Sequence, residues 1–170
     1  VKHVNFAVKS LLGLVVLILL VGALVTPALA AAEDEDGRDY AGLKYALKWL
    51  VLRLDAQQDN LDNARAATDL VEEFIADEKA AGHDTSALEA ALADARAKLD
   101  EAQGFHDTAA QILAEKAGFD DDGNVIDPQQ ARDTLKNAHR AMQDANQILL
   151  EARRDFRRAF QDYRQSKRDE

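Results

Sequence analysis

An all-helical fold of three long antiparallel helices, packed up-down-up as a coiled-coil-like bundle, is what this sequence predicts, on three observations. Strong helix formers dominate: there are 2 prolines in 170 residues, and 47% of the chain is hydrophobic while only 6% is aromatic. Apolar and small residues recur at steps of three and four through three long segments. Punctuation at Gly82, Gly118 and Pro128 separates those segments. A chain of this length has room for one modest core, so a single domain is expected.

Residues 1–30 decide where the remainder resides. Lys2 and Lys9, an apolar run from Leu11 to Val25 and the tripeptide Ala28-Leu29-Ala30 stand in the order of a signal peptide with a small-residue cleavage site. The apolar run is shorter than the roughly 20 residues of a spanning helix, and Pro27 interrupts it before the small residues. Cleavage after Ala30 is the expectation, and retention as an uncleaved anchor is the alternative. The lysines stay inside in both, so the rest is extracytoplasmic: secreted or periplasmic in the first, membrane-anchored and facing outward in the second. Residues 31–38, with Glu33-Asp34-Glu35-Asp36-Gly37, read as an acidic disordered leader, and the bundle is expected over 39–170.

The first helix is expected over about 39–80, with Leu43, Leu47, Leu50, Leu54, Leu61, Ala64, Val71 and Ile75 along one face and Gly82 as its stop. The second is expected over about 86–117. Ser86 is its expected N-cap, in a capping box with Glu89, and Gly118 its expected end. Its seam runs Leu88, Leu92, Ala95, Leu99, Ala102, His106, Ala109, Leu113. Asp127 and Pro128 fit the N-cap and first position of the third helix, about 128–167, with Gln130 completing a second box. Its seam alternates by size, and alanine stands at 138, 145, 152 and 159. An alanine column admits a close antiparallel neighbour, which predicts that the second and third helices form the tightest pair.

Four places are candidates for function. Asp120-Asp121-Asp122-Gly123-Asn124 has the carboxylates of a calcium loop, but with Gly123 at its sixth position the first ligand falls on Gly118 and the twelfth on Gln129, so a solvated turn is expected. His106 and His139, folded to similar depth with Gln57 or Gln58, predict one polar layer that sets register; the functional alternative is a weak zinc or copper site at the two histidines with Asp107 or Asp55. Tyr45, Trp49, Leu52 and Ala56 form a second stripe opposite the apolar face of the first helix. A surface helix needs only one stripe, so these are candidates for partner binding, unless Phe119, Val125 and Ile126 of the linker close over them and make Trp49 core. Arg153, Arg154, Arg157 and Arg158 are candidates for an anionic surface, set against the dipole of the helix end, which attracts cations without any ligand.

Absences shape the rest. There is no cysteine, so no disulfide and no thiolate chemistry, and packing alone must hold an exported chain of this kind together. The net charge of −10 becomes −12 once Lys2 and Lys9 are set aside, which disfavours nucleic acid. No serine elbow, phosphate loop or acid-base pair is evident, so neither an enzyme nor a cofactor is expected. The expectation is a structural or interaction protein of the cell envelope, with a protein partner or a second copy of itself. Membrane contact would come through an uncleaved amino-terminal segment or the basic last helix. The alternative is a periplasmic helical chaperone or metal-stress protein.

Overall fold

The computed structural model describes residues 40–169, and the expected signal peptide and acidic leader lie outside the described residues. The described chain is an all-helical bundle: α1 spans Ala41–Ala80, α2 Ser86–Glu115 and α3 Pro128–Asp169. Among the described residues no helix is long and apolar enough to cross a membrane.

α1 closes as its glycine predicts. The Gly82 amide donates to the Lys79 carbonyl and the His83 amide to the Glu78 carbonyl, a Schellman turn in which Gly82 takes φ +86°. The start of α2 differs from expectation by one residue. Ser86 is already helical, and its amide donates to the Asp84 carboxylate at 2.9 Å. Thr85 occupies the N-cap, and its hydroxyl donates to the Glu89 carboxylate at 2.8 Å. An aspartate reaches an amide two residues on, so Asp84 satisfies the Ser86 amide, which the predicted box gave to the Glu89 side chain.

α2 stops at Glu115 rather than 117. The left-handed residue that caps it is Lys116, with φ +47°; Gly118, also left-handed at φ +86°, stands two residues further on in the linker. Gly118 is required for a different reason. A Cβ there would come within 2.2 Å of the Ala131 amide nitrogen and 2.7 Å of the Asp127 carbonyl oxygen, so the linker backbone lies directly on the first turn of α3. The Gly118 carbonyl accepts from the Ile126 and Asp127 amides. That contact also corrects the second box: the Asp127 amide needs nothing from Gln130, which is exposed. The N-cap itself is as expected, with the Asp127 carboxylate accepting from the Gln129 and Gln130 amides at 2.9 and 3.0 Å.

Three core layers establish the antiparallel order. Leu47 and Leu50 of α1 meet Ala109 and Leu113 of α2 and Leu135 and Met142 of α3. Leu61, Leu99 and Ala145 meet in the middle. Val71, Ile75, Leu88, Leu92 and Tyr163 close the far end, with Phe74, Phe156 and Phe160 packed around them. Rising numbers in α1 and α3 thus run against falling numbers in α2. α2 and α3 approach each other most closely, and α1 lies nearer α2 than α3. Ala102, Ala109, Ala138 and Ala145 have no exposed surface and Ala95 and Ala152 are buried, so the alanine columns mark the tight seam.

Two predictions follow from this packing. Ala145→Leu is expected to overpack the α2/α3 seam and cost roughly 1 to 3 kcal/mol, read as a lower thermal midpoint; an unchanged midpoint would argue that the seam is loose. Glycine should behave oppositely at two sites. Gly118→Ala is expected to destabilise by more than about 1 kcal/mol through clash and positive φ, whereas Gly104→Ala, inside α2 with nothing within 4 Å of an added Cβ, should stabilise by about 0.5 to 1 kcal/mol in denaturant titration.

Candidate functional site

The second apolar stripe of α1 lies largely outside the bundle. Tyr45 is 70% exposed and Leu52 67% exposed, and Ala56 is exposed beside them. Trp49 differs: it is half-buried against the core, with the Arg53 guanidinium 4.7 Å above its ring. The linker covers a neighbouring face instead. Phe119 is buried and Val125 half-buried against the same core, Gly123 sits close to Leu47, and Lys44 hydrogen-bonds the Asn124 side chain. Ile126, expected to help close the stripe, is 70% exposed. Tyr45 and Leu52 therefore have no cover from the linker.

The Asp120 loop folds as a closed turn. Asp120 Oδ1 accepts from the Asp122 and Asn124 amides and Oδ2 from the Asn124 side chain, and these bonds hold its pKa below the usual carboxylate range. Phe119 and Val125 pair across its neck.

On α3 the arginines segregate from the acids. At 100° per residue Arg153, Arg157, Arg164 and Arg168 fall within about 60° of arc, with Arg154 and Arg158 on one flank. Asp155 and Asp162 lie on the far side, and Asp155 pairs with Lys98 of α2 at 2.6 Å. Arg153 is half-buried, and both burial and the Arg157 charge disfavour its charged form. The interleaved aromatics are not part of the basic surface: Tyr163 is core, and Phe156 and Phe160 pack inward with Phe74.

A buried polar layer does cross the bundle, with one member exchanged. His106 Nδ1 lies 3.3 Å from Gln57 Oε1, and Gln57 Nε2 donates to the Met142 carbonyl at 2.9 Å and to Asn146 Oδ1 at 2.8 Å. Asn146 thus takes the place expected for His139, one heptad further along α3. His139 is half-buried, and burial, with the nearby Arg53 charge, lowers its pKa. His106 and His139 are therefore in different settings. Among the described residues no three histidine, aspartate or glutamate side chains are grouped to hold a metal ion.

Further polar pairs join α1 to α2 along their outer edge. Arg65 donates to Gln103 at 2.8 Å, Arg96 to Glu72 at 2.7 Å, and Lys79 to Glu89 at 2.8 Å. At the far end Glu78 accepts from the Tyr163 hydroxyl and from Lys167 at 3.2 Å; burial opposes its ionisation, and these donors outweigh burial and lower its pKa. None of these was singled out from the sequence, although opposite charges flanking two seams are the signal that would have found them.

No family model, curated protein or solved structure matches this chain. The buried polar side chains Gln57, Thr85, His106 and Thr134 all have partners within the bundle: Thr134, for example, donates to the Ala117 carbonyl at 2.8 Å just past the end of α2. What stays available is an apolar strip at one end of the rod and a basic stripe towards the other.

Burial lowers the pKa of His106, partly offset by the charges of Asp107, Asp62 and Asp55. The unfolded chain takes up that proton near pH 6.5 and the folded chain only at lower pH, so proton uptake draws the equilibrium towards unfolding. Stability is expected to fall as pH drops from about 7 towards 5, above the range in which carboxylates protonate. His106→Gln should reduce that slope in denaturant titrations at several pH values, leaving the part due to His139, whose pKa is lowered in the same direction; an equal slope would place the effect elsewhere.

Proposed function

We propose that this protein is an exported, non-enzymatic structural or interaction protein of the cell envelope that acts by self-association or partner binding through the exposed start of α1. The observation that carries the reading is Tyr45 and Leu52 standing 70% and 67% exposed, seven residues apart on one face and flanked by Trp49. A tyrosine and a leucine held on a rigid helix present apolar area at little entropic cost, which is the chemistry of an interface anchor. Export is supported by the order of charge, apolar run and small residues over 1–30. The non-enzymatic part is supported by the use of the buried polar groups Gln57, His106 and Thr134, which bond to one another, to Asn146 or to backbone and hold the helices in register.

Tyr45→Ser/Leu52→Ser tests the reading better than Trp49→Ala, because Trp49 also packs on the core. The double variant is expected to melt within about 0.5 kcal/mol of the parent and to lose association in sedimentation velocity. An association state identical to the parent's across the micromolar range would refute the use of this strip.

A further inference from the structure

We infer that the basic stripe of α3 receives the acidic leader of a second copy of this chain, so that two rods associate with the start of one beside the end of the other. The inference rests on the self-association reading above and names the contact that would give it direction.

The stripe has the character of an unfilled anion site along a helix. Arg157, Arg164 and Arg168 are exposed, and none has an ion-pair partner among the described residues. Half-buried Arg153 has its charged form disfavoured by burial and by the charge of Arg157. The acids of α3 face elsewhere, and Asp155 is held by Lys98. In a chain of net charge −10 this leaves a concentrated cationic surface at one end. Leu150, 46% exposed, lies on the same side of the helix at the inner end of the stripe.

The matching anion is Glu33-Asp34-Glu35-Asp36, a few residues before the described chain begins at Tyr40. Its own stripe is out of reach. Phe156 packs in the layer of Val71, so Arg157 lies about 46 Å along the rod from the start of α1. The residues from Glu33 to Tyr40 extend no more than about 25 Å. Only the leader of another chain can arrive there. A leader laid along the stripe from Arg168 inwards also carries the Tyr45 and Leu52 strip of its own α1 towards Leu150 of the partner, so the charged and apolar surfaces can engage together. Exposed ion pairs of this kind are screened by salt, so the contact contributes direction and association rate more than tight affinity.

The test uses the full chain in a non-ionic detergent, with association read by sedimentation velocity. A dimer at about 50 mM salt that dissociates by about 500 mM is expected. Arg157→Glu/Arg164→Glu/Arg168→Glu should weaken it about tenfold. The leader variant Glu33→Lys/Asp34→Lys/Glu35→Lys/Asp36→Lys should weaken it likewise, without touching the bundle, so it remains informative if the arginine variant folds poorly. Mixing the two variants should restore the dimer. Association unaffected by either reversal, or no restoration on mixing, overturns the inference. So does binding to anionic phospholipid vesicles that the arginine variant loses while self-association stays intact. Loss of association in Tyr45→Ser/Leu52→Ser alone, with both charge reversals silent, would sink this contact and leave the interaction reading standing.

Discussion

The alanine columns between α2 and α3 are the constraint from which the rest of the bundle follows. Ala102 and Ala109 on one side and Ala138 and Ala145 on the other leave no room for solvent, and only a methyl side chain permits two helices to approach so closely. Larger side chains are displaced to the flanks of that seam. There they build a groove into which α1 lowers Leu47, Leu50, Leu61, Val71 and Ile75. α1 is thus a third helix laid on the α2/α3 pair, and long polar side chains bridge its edge with α2. Arg65 and Lys79 of α1 reach across to α2, and Arg96 of α2 reaches back to α1, in surface pairs that contribute little individually.

Polar groups take two roles that burial separates. Inside, Gln57, His106 and Asn146 link all three helices at one level, and such a layer penalises any slip of one heptad because each partner would be stranded in apolar surroundings. Outside, charge is sorted by face. Asp155 of α3 turns towards Lys98 of α2 while Arg153, Arg157, Arg164 and Arg168 lie on the opposite side of the helix, a concentration of positive charge that the overall acidity conceals. Rods with distinguishable ends are suited to directional contacts, and the two surfaces left uncovered lie towards opposite ends of this one.

Much of this order was legible in the sequence. The helices begin and end within two residues of expectation at most boundaries, because Gly82, Asp127 and Pro128 act locally through φ and missing donors. Alanine at 138, 145 and 152 identified the tight pair, since a periodic absence of bulk has one packing solution. The departures have two sources, a backbone that approaches from elsewhere in the fold and a nearby side chain that competes for the same amide. Gly118 has the composition of a helix stop, but its necessity comes from the α3 backbone lying against it. Ser86 lost the cap to its neighbours because Asp84 is better placed to accept its amide.

By itself, then, the sequence determined the helical class, the number of segments and which faces are apolar, all of which depend on residues within a few positions of one another. The tertiary structure alone decided that Asn146 rather than His139 completes the polar layer, and that Trp49 leans on the core while Tyr45 and Leu52 do not. Each of those outcomes turns on the rotation and register of one helix against another. Rotation and register come from the summed fit of whole seams, which no local pattern encodes.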